Sequence, residues 1–158
     1  MITSRDFRAG DEPALRGVFE SAIHEVAIRD YTQQQVDAWA PRAWDPALWA
    51  ARMQGIAPFV VERDGAIVGY ADVQANGYID HFFVSGSAGG QGVGRLLMRR
   101  IHERAAETGI AELSSEVSRT AQPFYRRFGF ETVDQHSELV RGVELQYAAM
   151  RKVLRAVG

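Results

Sequence analysis

The chain has 158 residues, 46% apolar and 24% charged, with a formal net charge of −2. That balance predicts one globular domain, residues 1–158, and argues against a nucleic-acid partner, which would call for a basic excess. Cysteine is absent, which excludes disulfides, thiolate-held zinc and a cysteine nucleophile.

A short strand is expected over residues 2–7. Asp11, with Pro13 in the first turn, predicts a helix to about residue 28, its apolar face carrying Leu15, Val18, Phe19, Ala22, Ile23 and Val26. Thr32 caps a second helix that Pro41 stops, and Asp45-Pro46 opens a third. The texture then turns β-branched and aromatic. Asp64-Gly65 and Asn76-Gly77 are hairpin signals between strands at 58–63, 66–75 and 77–84. A helix over 92–108 follows, with Val93, Leu97, Ile101 and Ala105 inward, Leu96 alongside, and Gly109 at its end. "AELSSEV" reads as a strand reached by a right-handed parallel crossover. A short helix at 120–128 and strands at 130–139 and 142–151 complete the chain. The fold class is α+β, a mixed, mostly antiparallel sheet of six to seven strands with helices on both faces.

No apolar run approaches the roughly 18 residues of a membrane helix, so no membrane partner is expected. The opening "MITSRDFRAGDEP" has no apolar leader, and a cytoplasmic location is expected. His24, His81, His102 and His136 show no ligand spacing, and no metal site is expected.

"SAGGQGVGRLL", Ser87–Leu97, joins a strand end to a helix start. Helix N-termini leave amide N–H groups unpaired, and glycine lets an anion approach the backbone. Neither GxxxxGK[ST] nor GxGxxG is present, which disfavours nucleotide triphosphate and dinucleotide loops. A tight turn serving only helix–strand contact is the plainer alternative. A second stretch, Ala121-Gln122-Pro123-Phe124-Tyr125-Arg126-Arg127-Phe128-Gly129-Phe130, reads as a short helix, a glycine stop and a strand.

Together these stretches resemble the GCN5-related N-acetyltransferase (GNAT) superfamily. Gly92 and Gly94 fit the small positions of its acetyl-CoA loop, [Q/R]-x-x-G-x-[G/A]. Residues 121–130 match A-x-x-x-Y-x-x-x-G-F at every specified position. "YTQQQVDAWA", "YIDHFFV" and "RGVELQYAAM" are most similar to small bacterial acetyltransferases of the YafP type. Gly89 departs from the loop pattern, standing where the family has Gln or Arg, with Gln91 two places on.

The resemblance implies transfer of an acetyl group from acetyl-CoA, the co-substrate, directly to an amine of a small molecule or peptide. The pyrophosphate would rest on Gly89, Gly90, Gln91, Gly92, Val93, Gly94 and Arg95, largely through backbone. The backbone of Phe82, Phe83 and Val84 would pair with the pantetheine arm as an added strand does. Tyr125 would protonate the leaving thiolate. The base is left among Asp80, His81, Glu116 and a water chain. Alternation would put Asp80 and His81 on opposite faces unless a bulge intervenes. Tyr31 and Trp39, with Trp44 and Trp49 nearby, are expected to wall the acceptor site, and Arg141 and Gln146 to border it. Arg99, Arg100 and Arg104 read as a solvated helix face. A monomer or homodimer is expected. The alternative is a non-catalytic acyl-CoA-binding regulatory module.

Overall fold

The computed structural model describes residues 1–154. Its elements run β1 (Ile2–Asp6), α1 (Glu12–Ser21), α2 (Gln33–Trp39), α3 (Pro46–Ile56), β2 (Phe59–Arg63), β3 (Ala66–Ala71), β4 (Tyr78–Ile79), β5 (Phe82–Val84), α4 (Val93–Thr108), β6 (Glu112–Ser118), α5 (Gln122–Arg127), β7 (Glu131–Val140) and β8 (Val143–Val153). The strands form two four-stranded sheets, ordered β1-β2-β3-β5 and β4-β6-β8-β7. All pairings are antiparallel except β4 with β6. The expected α+β architecture is present. The strand count rises to eight because the single strand read over 77–84 is two, interrupted at Asp80–His81.

That interruption carries the chain from one sheet to the other. Tyr78 and Ile79 pair with Ser114 and Ser115, whereas Phe82 to Val84 pair with β3. Gly77 sets the first contact: a Cβ there would lie 2.0 Å from Glu112 O, and its φ is +85°. Only glycine permits this approach. Asp64 (φ +53°) and Gly65 (φ +83°) form the two-residue turn that the Asp-Gly pair predicts.

Apolar side chains cover both faces. One core packs α4 and α5 against the sheets through Leu97, Met98, Ile101, Leu113, Tyr125 and Met150. The other packs α1 to α3 through Leu15, Ile23, Val36, Met53 and Tyr70. On α4, Met98 is fully buried while Leu96 is only partly so. Met98 lies next to Leu97 and one turn before Ile101, so it widens the stripe on the side facing the sheet.

Two local readings differ. Asp11 makes no cap. Its carboxylate accepts two bonds from Arg5, at 2.8 and 2.9 Å, and the guanidinium holds its pKa below the usual range. The first helix also stops being regular at Ser21, giving way to a wide turn over Ala22–Val26 and a tight one over Ala27–Arg29. Thr32 does cap, in a reciprocal box with Gln35, and Asp45 accepts from Ala47 and Leu48 N–H.

Candidate active site

Past Ile79 and Ser115 the parallel pairing of β4 with β6 stops, and β5, which follows in the chain, pairs with β3 and not with β6. The edge of β5 away from β3 has no strand partner among the described residues. A cavity of about 230 Å³ fills this fork. Phe82, Phe83 and Val84 line one side, Ser118, Ala121 and Phe124 the other, and the wide turn after α1 closes it with Ala22 and Val26. The lining is mostly apolar, and the open strand edge offers backbone groups to an extended ligand.

The glycine loop ends beside this fork, where Gly94 also lines the cavity. Gly90 (φ +75°) and Gly92 (φ +84°) take conformations that disfavour side chains, and Gly92 is the N-cap of α4. No side chain caps this helix, so its first amides are left for an anion. Gly94 has a second reason to be small. A Cβ there would meet the Phe124 ring at 3.1 Å, so α4 and α5 pack through it. The plainer reading of the loop therefore accounts for part of it. Gln91 and Arg95 are not turned to the fork. The Gln91 side chain is bonded by Arg63 and reaches the Ser87 carbonyl. Arg95 borders a separate cavity against β1, with Thr3, Ser4 and Arg99. Val93 is core through its side chain.

Tyr125 is buried, its ring against Phe82, Phe124 and Phe130 and its hydroxyl beside Ser115. Burial drives its pKa far above that of a free phenol, against a small opposing pull from Ser115. It therefore holds its proton throughout the neutral range. Ser115 itself donates to Ile79 O at 2.8 Å, at the point where the fork begins.

The three base candidates are in very different surroundings. His81 is buried, with Arg52 Nε–H donating to its Nε2 (3.2 Å) and Tyr70 Oη 3.0 Å from its Nδ1. Burial, then the Arg52 charge, lowers its pKa to about 3. It is a neutral structural imidazole. Asp80 is paired with Arg52 at 3.0 Å. Glu116 is the most open, 41% exposed at its side chain, and borders two cavities. Its Oε2 lies 2.9 Å from His136 Nε2, and His136 Nδ1 lies 3.1 Å from Asp134 Oδ2. Neither Asp134 nor His136 was legible as a site residue. The signal available was Asp134, His136 and Glu138 at alternate positions, hence on one face of a strand.

Asp72 also escaped the sequence reading. It is 1% exposed, and its Oδ1 accepts the main-chain N–H of Asp80 (3.1 Å) and of His81 (2.6 Å). Gln74 donates to its Oδ2 at 2.6 Å. One buried carboxylate thus holds the interruption that opens the fork. Desolvation raises its pKa to about 6 despite these donors. An acid inside the apolar run "AIVGYADV" was the available cue.

Trp39 is where the cavities meet. It borders the fork, a cavity of about 150 Å³ with Tyr31, Glu116, Glu138 and Tyr147, and one of about 570 Å³ with Phe83, Asp80 and Arg141. Tyr31 is a wall, but its hydroxyl is committed, donating to Gln146 O at 2.6 Å and accepting from Arg119 N–H at 2.9 Å. Trp44 and Trp49 line only the larger cavity, where the Arg16 guanidinium lies over both rings. Trp49 is mainly core, donating to Glu12 O. Arg141 donates to Ala38 O, and Gln146 accepts from Arg119.

Comparison with known proteins identifies the family and the fold. The family model for the acetyltransferase (GNAT) domain matches residues 27–154. The chain is similar to the uncharacterized N-acetyltransferase YafP of Escherichia coli K12, 30% identical over 141 residues, covering 89% of each chain. Its structure is similar to that of a GCN5-related N-acetyltransferase, described as an aminotransferase of class II, from Rhodopseudomonas palustris. That match has TM-score 0.91 and 26% identity, covering 96% of this chain and 95% of the other. At 16% identity it shares its fold with the PaiA N-acetyltransferase of Thermoplasma acidophilum, solved with coenzyme A. The TM-score is 0.75, covering 98% and 99% of the two chains.

Proposed function

The chain belongs to the acetyltransferase (GNAT) domain family and is an acetyl-CoA-dependent N-acetyltransferase. From that premise we propose that it acetylates an amine of a small molecule or peptide directly, in the cytoplasm, with residues 1–158 as one domain. The observation that carries this is the fork between β5 and β6, opening beside the uncapped start of α4. An open strand edge and a set of free amides suit an extended arm that ends in a diphosphate.

When bound, acetyl-CoA supplies an activated acetyl thioester and a thiolate leaving group. The amides from Gly89 to Gly94 hold the anion by backbone alone, since Gly89 has no side chain and Gln91 is engaged by Arg63. The free edge of β5 orients the arm and offers an N–H to polarise the thioester carbonyl. Tyr125 serves the leaving sulfur. A phenol held far above its ordinary pKa of about 10 does not give up its proton completely to a thiolate whose conjugate acid is near 8.5. Its part is a hydrogen bond that strengthens as charge collects on sulfur.

The acceptor reaches the fork past Trp39. An alkylammonium ion must lose a proton before its nitrogen attacks, and Glu116 is the base. Among the candidates it alone is open to the groove and free of an arginine partner. Asp80 is tied to Arg52, and His81, bonded by the same arginine, is a weak base with its pKa lowered to about 3 by burial and the Arg52 charge. Tyr31, Trp39 and Tyr147 with Glu116 and Glu138 make a wall suited to cationic amines.

The test is to incubate the protein with acetyl-CoA and a panel of amines and follow CoA thiol release together with acceptor mass. Thiol release with a matching mass gain supports the reading. Acetyl-CoA binding without release on any amine would point instead to a non-catalytic acyl-CoA module.

A further inference from the structure

We infer that Asp134, His136 and Glu116 act as one proton-carrying array, through which the acceptor's ammonium proton leaves the active site. The inference rests on the acetyltransferase reading above. It makes His136 and Asp134 positioning residues that work through Glu116.

The array is a row laid across the second sheet. Asp134 on β7, Ala149 on β8 and Glu116 on β6 are in register, each opposite the next. His136 stands two residues along β7 from Asp134. Its ring crosses above β8 to reach Glu116 at 2.9 Å while Asp134 holds its other nitrogen at 3.1 Å. Alanine at 149 leaves the crossing open; a long side chain there would stand between the two carboxylates.

The proton count follows from the geometry. A neutral imidazole carries one N–H, so it donates to one carboxylate and turns a lone pair towards the other. Both hydrogen bonds form only when the array holds one further proton, on the imidazole or on Glu116. Before that proton arrives, the imidazole lone pair opposes a carboxylate oxygen, that of Glu116 or that of Asp134 according to the tautomer. Uptake of a proton relieves this repulsion, which is what a base requires.

The surroundings act in the same sense. Glu138 shares the face of β7 with His136, and Tyr147 on β8 stands edge-on to its ring, centroids 4.4 Å apart. The Tyr147 hydroxyl donates to Glu138 at 2.9 Å, and burial followed by that bond raises its pKa to about 12. It keeps its proton and does not compete. Arg119 and Glu144 border the neighbouring cavity, one cation and one anion. The bonds from Asp134 and then Glu116 hold His136 above the usual imidazole range.

The array also has an inlet and an outlet. Glu116 borders the groove cavities that contain Trp39. His136 borders a different cavity, of about 420 Å³, with Gln122, Gln135 and Ser137. The acceptor's N–H bond breaks and its proton goes to Glu116. The Glu116 proton shifts to His136 Nε2, and the imidazolium gives its Nδ1 proton to Asp134 and on to solvent. One proton enters and one leaves; the ring is then the Nε2–H tautomer, and exchange of its two N–H protons with water restores the Nδ1–H form before the next turnover.

The experiment compares wild type, His136→Gln, Asp134→Asn and Ala149→Leu, using the amine that gives the fastest CoA release. The kcat/KM profile is recorded from about pH 5 to 9, and the His136 imidazole is titrated by NMR in every protein that retains it. In wild type the acidic limb and the NMR midpoint should coincide, above the ordinary value of about 6.5. Asp134→Asn should lower both together. His136→Gln should abolish the limb and reduce kcat about tenfold or more, with acetyl-CoA affinity unchanged. Ala149→Leu should separate the two midpoints, because the ring no longer reaches Glu116. An acidic limb that stays in place in both His136→Gln and Asp134→Asn would overturn the array, whatever those variants do to melting temperature. Failure of wild type to release CoA with any amine would overturn the acetyltransferase reading itself.

Discussion

The carboxylate of Asp72 accepts the main-chain N–H of His81 at 2.6 Å, and the two side chains titrate in opposite directions from ordinary values. Desolvation raises Asp72 to about 6, so its folded pKa lies above its unfolded one. Its protonated form stabilises the fold, and that stability is lost as pH rises through about 6. His81 is lowered to about 3, so its contribution is present above the unfolded value and is lost as pH falls towards 3. Between about pH 4 and 6 the slopes oppose, each worth up to about 3 kcal/mol over the window. Wild-type stability should therefore be nearly flat there. Asp72→Asn should lose stability as pH falls, and His81→Gln as pH rises. Urea unfolding at several pH values checks this; parallel curves for all three proteins would refute it.

Most of the architecture was legible because it rests on local signals. The Asp-Gly turn, the Thr32 box, the Gly109 stop and the α4 stripe depend on residues near in sequence. The interruption at Asp80–His81 was not, because the group that causes it, Asp72, lies across a turn and acts on backbone. Asp11, a capping residue by position, is taken instead by Arg5 of the preceding strand β1, because the turn between β1 and α1 brings the guanidinium back onto it. In the site, the glycine loop stood out by its place between a strand and a helix, and Tyr125 by the resemblance of residues 121–130 to the family motif. Glu116 came from its place on a strand, but its partners came from a strand two places away in the sheet. Spacing cannot show such register.

The glycine loop predicts a graded response. Gly92 is the α4 cap at φ +84°, a conformation costing a side chain about 1 kcal/mol. Gly92→Ala should lower stability by about that amount and weaken acetyl-CoA binding several-fold, as its first amides lose alignment. Gly94→Ala keeps its backbone angles but presses a Cβ on Phe124 at 3.1 Å. It should cost stability with a smaller loss of affinity. Calorimetric titration with acetyl-CoA and thermal melts separate the two; equal losses of affinity would contradict the division of roles.

Tyr125→Phe removes the hydroxyl and keeps the ring packed against Phe82 and Phe130. The phenol is assigned to the departing sulfur, so kcat should fall about 10- to 100-fold, while KM for acetyl-CoA and the melting temperature change little. Steady-state kinetics with the best acceptor decide it. An unchanged kcat would return Tyr125 to the core.

The acceptor wall makes the last prediction. Glu116 and Glu138 border the cavity of about 150 Å³ together with Tyr31, Trp39 and Tyr147, and no Lys, Arg or His is among its lining residues. An acceptor bearing a second cationic group gains from such a wall, whereas a simple alkylamine has only the group that Glu116 deprotonates. Glu138→Gln keeps an oxygen for the Tyr147 hydroxyl but removes the charge. An exposed ion pair is worth about 1 kcal/mol or less, so KM for a diamine should rise up to about fivefold. KM for a monoamine and kcat for both should stay within error. The rise should shrink at high salt, because screening weakens the wild-type attraction and has nothing to act on in the variant. Equal effects on the diamine and the monoamine at all salt concentrations would show that Glu138 does not read a second charge.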